Sequence, residues 1–308
     1  MKIVVYGIGG VGGYFGGKLA KAGLDTTFIA RRAHLEAIKE NGLVVKSIYG
    51  DFKATPTAIT WDIANVPDPD LIILATKTWQ VSEIASKLRK HINKETMILP
   101  LQNGVNTTEK LLRALPEKNV LAGLCRIISY IESPGVIRHK AFHPQVLFGE
   151  LDNSKSQRTK EIKALFDKAD FDNEIPEDIH LERWRKFLFI CTISGIGALT
   201  RMEIGINRSD KQIRTLMEQT ASEIIALANA KGVALHEKDL EKTFAAIDKQ
   251  AADTTASMQR DLMEGKPSEL DDFNGYVVKE SQKYGLQTPV NSFIYHCLQP
   301  MERKARGL

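Results

Sequence analysis

An alternating α/β domain followed by an all-helical domain is the fold class this 308-residue sequence predicts, on three observations. A β-branched apolar run at the N-terminus enters a glycine-rich turn that continues directly into a helical pattern. Strand-like runs, the buried ones at 71–75 and 96–101 mostly apolar, then alternate with helical patterns as far as the helix that begins near Thr107. Beyond Pro176 strand signals vanish and long amphipathic patterns take over.

The first element is the strand 3–6, which runs into Gly7-Ile8-Gly9-Gly10-Val11-Gly12. In a strand–turn–helix setting the spaced glycines have separate tasks. Gly7 permits the tight turn, Gly9 lets backbone approach a pyrophosphate, and Gly12 lets helix and strand pack closely. The free amides and the positive end of the helix then face an anion. A second strand, 26–30, follows Gly23 and completes the Rossmann-type β-α-β unit, so residues 7–12 are candidate cofactor ligands. The tip of that second strand touches the adenosine ribose, where an acid binds a free 2′-hydroxyl and an arginine favours a 2′-phosphate. Here the tip reads Ile29-Ala30-Arg31-Arg32 with no acid, and Arg31 comes first after the strand. The expected cofactor is NADP(H).

A helix over 33–40 ends at Asn41-Gly42, and two strands, 43–48 and 52–57, flank Tyr49-Gly50-Asp51 as a hairpin. The loop 66–70 leads into a buried strand, 71–75, then Thr76-Lys77-Thr78-Trp79-Gln80 and a helix over 81–91. Another buried strand, 96–101, runs into Gln102-Asn103-Gly104, and a helix begins near Thr107. Ligands of doubly wound sheets bind beyond the carboxyl ends of the strands, which is where Lys77 and Asn103 fall. Taken alone, each of those two reads equally as an ordinary loop residue. Residues 120–150 carry strand and turn signals, Ser133-Pro134-Gly135 and His143-Pro144 among them, and are expected to complete the sheet with antiparallel strands. His139 and His143 read as surface strand residues, because no acid or nucleophile is spaced around them. A helix over 159–168 and a linker over 172–176 close the first domain, residues 1–176.

In the second domain, residues 177–308, helices are predicted over 178–199, 211–231, 237–265, 268–284 and 290–299. Gly232, Gly265 and Gly285 stop three of them, and Pro267 and Pro289 start two. There is no internal repeat and no low-complexity segment.

Composition excludes several function classes. Hydrophobic residues make up 43% and charged residues 26%, as in ordinary globular chains, and the net charge of +4 is dispersed, with no basic block for nucleic acid. No apolar run reaches membrane-spanning length and the N-terminus is already a core strand, so neither a membrane span nor a signal peptide is expected. Cys125, Cys191 and Cys297 are widely spaced and apolar-flanked, which argues against disulfides and against a metal site and fits a reducing cytoplasm. The long helical half could pair with a copy of itself as a homodimer.

A dinucleotide domain followed by a helical domain suggests catalysis in an intervening cleft. The helix after the linker carries Lys186, with Ile190 and Ser194 at steps of four on one face. A lysine in an otherwise apolar helix is costly unless its ammonium reaches a partner or a cleft, and ketone reduction needs a proton donor for the developing alkoxide. Flanked by Arg183 and Arg185, Lys186 fits a solvated surface lysine equally well on spacing alone. Ser257 and Glu269 form a second polar cluster, Glu269 reading also as a first-turn acid on a helix dipole.

In order along the chain, GIGGVG at 7–12, Arg31, TKTWQ at 76–80, QNG at 102–104, ERWRKF at 182–187 and SELDDFNG at 268–275 resemble the ketopantoate reductase family (2-dehydropantoate 2-reductase) over essentially the whole length. The resemblance implies a helical domain like the C-terminal domain of 6-phosphogluconate dehydrogenase. It implies that Lys77 and Asn103 lie near the nicotinamide, Asn103 also touching substrate, and that Lys186 is the general acid. Glu269 is implied to bind substrate and product, and Ser257, in Ala256-Ser257-Met258-Gln259-Arg260-Asp261, the substrate carboxylate. The family carries asparagines four and eight residues after the lysine and often three before the serine; here those substrate-facing positions hold Ile190, Ser194 and Thr254. The expected activity is NADPH-dependent reduction of 2-dehydropantoate to pantoate on the route to pantothenate and coenzyme A. A paralogue acting on another small 2-oxo acid, or a non-catalytic NADP(H) sensor, are the alternatives. Retention of Lys186 and Glu269 argues against the sensor.

Overall fold

The computed structural model describes residues Met1–Leu308, which divide into two units: Met1–Asn103 with Thr107–Ile179, and Gly104–Asn106 with His180–Leu308. In the first, β1 (Ile3–Tyr6), α1 (Gly10–Lys21), β2 (Thr26–Ile29) and α2 (Arg32–Asn41) are followed by β3 (Leu43–Ser47), β4 (Phe52–Ala54) and β5 (Ala58–Thr60). Then come β6 (Leu71–Leu74), α3 (Val81–Leu88), β7 (Met97–Pro100), α4 (Thr107–Leu112), β8 (Ala122–Ser133), β9 (Val136–Gly149), α5 (Gln157–Lys168) and β10 (Asp172–Glu174).

A five-stranded parallel sheet has the order β5-β2-β1-β6-β7, the doubly wound arrangement with its switch point between β1 and β6. Alternate residues of β1 feed two cores. Ile3 and Val5 join Phe15 and Leu19 of α1, whereas Val4 and Tyr6 join Ile84 and Leu88 of α3. Burial on both faces is why β1 reads as an unbroken apolar run.

The expectation that residues 120–150 complete this sheet is corrected. β8 and β9 form a long antiparallel hairpin in a second sheet, ordered β10-β9-β3-β4 with β8 on β9. The predicted 43–57 hairpin forms, β3 against β4, and belongs to this second sheet through a parallel pairing of β3 with β9. The predicted linker is also corrected, because Asp172–Glu174 is an edge strand parallel to β9. α1 lies between the two sheets. A Cβ at Gly12 or Gly16 would meet the first sheet (Gly7 O at 2.1 Å, Val5 at 3.0 Å), and one at Gly13 or Gly17 the second (Ile137 at 2.5 Å, Leu43 at 3.2 Å). The glycine content of α1 follows from having backbone and side chains pressed against two of its faces.

The second unit is helical: α6 (Ile179–Thr200), α7 (Ile204–Ser209), α8 (Lys211–Ala230), α9 (Glu237–Asp248), α10 (Ser257–Met263), α11 (Asn274–Lys283) and α12 (Pro289–Arg306). The predicted helix over 237–265 is broken. The carbonyls of Ala252 and Thr254 accept hydrogen bonds from Gly205 and Ile204 at the start of α7, and these bonds replace an i to i+4 ladder. α12 continues past Gln299 through Pro300, and its last turn is held by Glu302, which is buried and bonded to Ser268 and Arg306. No helix is long and apolar enough to cross a membrane.

Candidate active site

The glycine loop is built for an anion and by sterics. Gly7 has φ +99°, and a Cβ there would stand 2.7 Å from Thr76 Cγ2. Gly9, with no side chain to cap the helix, precedes the first-turn amides of α1, and a Cβ on it would meet nothing within 4 Å. Gly10, which opens α1, admits no side chain: a Cβ there would overlap the Ser129 carbonyl of β8 at 2.1 Å. Val11 packs partly buried against the core and Ile8 is buried. Lys18 and Lys21 lie in the last turn of α1 and no acid in its first, so the dipole is left to attract an anion at the loop.

Arg31 follows the end of β2 in extended backbone (φ −139°, ψ 153°) with its side chain exposed. Together with the hydrogen bond from Lys87, its charge helps hold the Glu83 carboxyl on α3 below the usual carboxylate range. His34, on α2, was missed by the sequence reading: its Nδ1 accepts from the Gly135 amide at the β8–β9 turn (3.0 Å), and burial holds the imidazole below its ordinary pKa. The carboxyl ends of β6 and β7 are tied together, Gln102 Nε2 donating to Thr76 Oγ1 (3.4 Å) and Thr78 Oγ1 to the Asn103 carbonyl (3.1 Å). Lys77 and Asn103 are both half-buried in these turns, and the buried Gln102 Oε1 has no partner. An open cradle at Gly9, unused amides at a helix N-terminus and an orphaned acceptor at the neighbouring strand end fit a pyrophosphate-containing dinucleotide with an amide group.

In the helical unit, Arg183 is buried and donates to the Val105 carbonyl (2.8 Å), and Arg185 bridges Glu182 (2.7 Å) and Asp239 (2.8 Å). The cations flanking Lys186 are thus fixed in structural bonds. Lys186 itself is half-buried, as is Ile190 one turn on, whereas Ser194 is fully buried and its hydroxyl has no partner. The face expected to carry all three turns inward at its far end.

Phe187 packs edge-on against Phe273 (centroids 6.0 Å) in a cluster with Leu270, which brings the 270–273 segment onto α6 at the residue that follows Lys186. Glu269, one residue earlier than this segment, is 4% exposed. It caps a short 3₁₀ turn, and the predicted long helix starts only at Asn274 because Ser268 is bonded to Glu302 instead. Ser257 opens α10 half-buried, held by a cap in which Gln259 Oε1 accepts from the Ala256 amide (3.2 Å). A Cβ on Gly197 would collide with that Gln259 at 2.6 Å, and one on Gly195 with Asn274 at 2.7 Å, so both glycines serve close packing. Thr254 is half-buried with its carbonyl committed to α7. The predicted reading of His139 is corrected. It is fully buried, accepting or donating at Ser47 Oγ (2.9 Å) and bonded to the Phe142 carbonyl (2.8 Å), whereas His143 is exposed beside Asp172.

Likeness to known proteins extends along nearly the whole chain. The family model described as ketopantoate reductase PanE/ApbA matches residues 3–153, and its C-terminal counterpart matches 178–302. The uncharacterized oxidoreductase YkpB of Bacillus subtilis is 29% identical over 98% of this chain and 99% of its own. The 2-dehydropantoate 2-reductase of a Nostoc species is 28% identical over 99% and 96%. The crystal structure of a PanE/ApbA family ketopantoate reductase from Ralstonia eutropha superposes with a TM-score of 0.91 at 27% identity, covering 99% of this chain and all of the other. The chain belongs to the ketopantoate reductase family of dinucleotide-binding oxidoreductases.

Proposed function

We propose that the protein reduces a small 2-oxo acid with NADPH, and that 2-dehydropantoate is the acceptor, giving pantoate. Residues 1–176 hold the cofactor and residues 177–308 supply the acid chemistry. The observation that carries this reading is Lys186: a half-buried lysine on a largely apolar helix, next in sequence to Phe187, on which Phe273 of the Glu269–Phe273 segment packs, with both flanking arginines already committed to other bonds. The nicotinamide, when bound, supplies the hydride. The α1 amides and Gly9 receive the pyrophosphate, Arg31 the 2′-phosphate, and Lys77 and Asn103 border the ring. Lys186 Nζ donates a proton to the carbonyl oxygen as negative charge develops there, Ser257 takes the substrate carboxylate, and Glu269 accepts from the product hydroxyl.

A second acceptor is favoured by one residue. Ile190, half-buried one turn from Lys186, offers no hydrogen bond to a substrate hydroxyl, which suits a less polar 2-oxo acid. Following NADPH oxidation over a panel of 2-oxo acids, beside Lys186→Ala, separates the two. Turnover of 2-dehydropantoate that collapses in the variant supports the first reading, turnover confined to another acid selects the second, and NADPH binding without turnover of any acid overturns both.

A further inference from the structure

Glu302 is 2% exposed and stands one turn before the end of α12, where the helix dipole disfavours a carboxylate. Burial adds to that cost unless the charge is fully bonded, and here it is. Its Oε1 accepts from Arg306 Nε (2.6 Å) and from the Ser268 amide (3.1 Å), and its Oε2 from the same amide (3.1 Å) and from Ser268 Oγ (2.5 Å). Arg306 Nη2 also donates to the Ser268 carbonyl (3.1 Å). The amide, hydroxyl and carbonyl of Ser268 are thereby all engaged by α12. The carbonyl of the next residue, Glu269, accepts from the amides of Asp272 and Phe273 (3.0 Å each). The peptide units on both sides of Glu269 are fixed, the first of them by residues 34 and 38 positions further along the chain.

We propose that Glu302 and Arg306 are positioning residues for Glu269, holding the backbone that aims its carboxylate at the acceptor acid, an inference that rests on the function proposed above. Leu270 and Phe273 anchor the same segment by apolar packing. Packing sets where the segment lies, whereas four directed bonds onto one residue also set how its peptide is turned. A group that binds substrate has to be held within about 0.5 Å of its productive geometry by the residues behind it, and a misplacement of about 1 Å from a distant change can cost about 100-fold in rate. The neighbouring acids are tied elsewhere. Asp271 Oδ1 accepts from the Tyr295 hydroxyl (2.8 Å) and Asp272 Oδ1 from Asn106 Nδ2 (2.8 Å), so the bonds onto Ser268 bear on Glu269, the acid next to it in sequence.

A double-mutant cycle on the full-length protein tests this, read as steady-state rates with 2-dehydropantoate or with the acid that the panel above selects. Arg306→Gln, at a partly exposed side chain, should lower kcat/KM for the acid by about tenfold or more and leave the dissociation constant of NADPH within about twofold of wild type. Made on Glu269→Gln, the same change should cost less than about twofold, because no carboxylate remains to be misaligned. Glu302→Gln should repeat the pattern, and Arg306→Gln decides the matter by itself where that buried variant does not fold. An Arg306→Gln protein as active as wild type, or a loss just as large on the Glu269→Gln background, overturns the inference and leaves the proposed function in place. Wild-type rates in Glu269→Gln, or a wild-type protein that turns over no 2-oxo acid, overturn the inference together with the reading of the site on which it rests.

Discussion

Two glycines of the same loop should respond to alanine in opposite ways. A Cβ at position 12 would stand 2.1 Å from the Gly7 carbonyl oxygen and 3.0 Å from Ala75 Cβ, the residues that directly follow the central strands β1 and β6. Neither can yield without moving backbone. Replacing a helical glycine by alanine gains about 1 kcal/mol of propensity, but overpacking against a fixed backbone costs about 1–3 kcal/mol or more. With an overlap this deep the upper end applies, and Gly12→Ala should lose roughly 2 kcal/mol and about 4–8 °C in Tm. At Gly9 a Cβ would meet nothing within 4 Å, and φ of −89° suits alanine. Gly9→Ala should therefore cost at most about 1 kcal/mol, through a poorer helix cap. The new methyl would occupy the space through which a pyrophosphate must approach, so dinucleotide affinity should fall by roughly tenfold or more. Thermal unfolding and calorimetric titration with NADPH measure both quantities on both variants. A Gly9→Ala protein that binds like wild type, or a Gly12→Ala protein of wild-type stability, refutes the steric division of labour.

Arg31→Ala should raise the KM for NADPH by about 10- to 100-fold, the worth of a charge-assisted contact, with little effect on NADH; equal effects on the two cofactors contradict the 2′-phosphate role. In Lys186→Ala, kcat should drop by about 10²–10⁴-fold while NADPH binding stays near wild type, because a proton donor acts in the transition state; a change in KM alone would assign the lysine to binding. His34 links pH to stability. Burial lowers its folded pKa below the unfolded value of about 6.5, so its neutral form contributes stability that is present above that pH and lost as the pH falls below it, when a proton on Nδ1 opposes the Gly135 amide. Tm measured from pH 8 to 5 should therefore decline less steeply in His34→Gln, and identical slopes count against the account.

The parts of the fold written in local pattern were legible, and those written in distant pairings were not. The glycine turn, the buried runs of β1, β6 and β7, and α6 could be read because a wholly buried strand or a long apolar helix leaves its period in consecutive residues. That β3 pairs with β9, some ninety residues on, leaves no such trace, and with it went the second sheet and the burial of His139. The same gap hid why α1 carries so many glycines. Their reason lies in Ile137, Ser129 and Leu43, each remote in sequence. The break between α9 and α10 depends on amides of α7 reaching Ala252 and Thr254, a tertiary choice overriding a plausible helical pattern. At the site, the positions of Lys186 and Glu269 could be named, but α6 is apolar nearly all round, so its periodicity did not tell which residues of the 186-190-194 face stay near the surface.

Under the proposed function, that last ambiguity bears on where substrate choice would reside. Ser194 is fully buried and cannot stand in for a lost asparagine at the surface, which leaves Ile190 as the residue next to Lys186 on the accessible part of the face. 2-Dehydropantoate carries a hydroxyl that its isostere 3,3-dimethyl-2-oxobutanoate lacks. Against an isoleucine the hydroxyl loses water without gaining a partner, a penalty of about 1–3 kcal/mol, whereas an apolar wall accepts the methyl analogue freely. Ile190→Asn restores a donor and an acceptor at that position. The ratio of kcat/KM for 2-dehydropantoate over the deoxy analogue should then rise by about tenfold or more, with the rate still dependent on Lys186. A ratio that does not move would show that Ile190 does not face the hydroxyl, and the discrimination would have to be sought on the Thr254–Ser257 segment, where the Gln259 cap leaves the side chains half-buried.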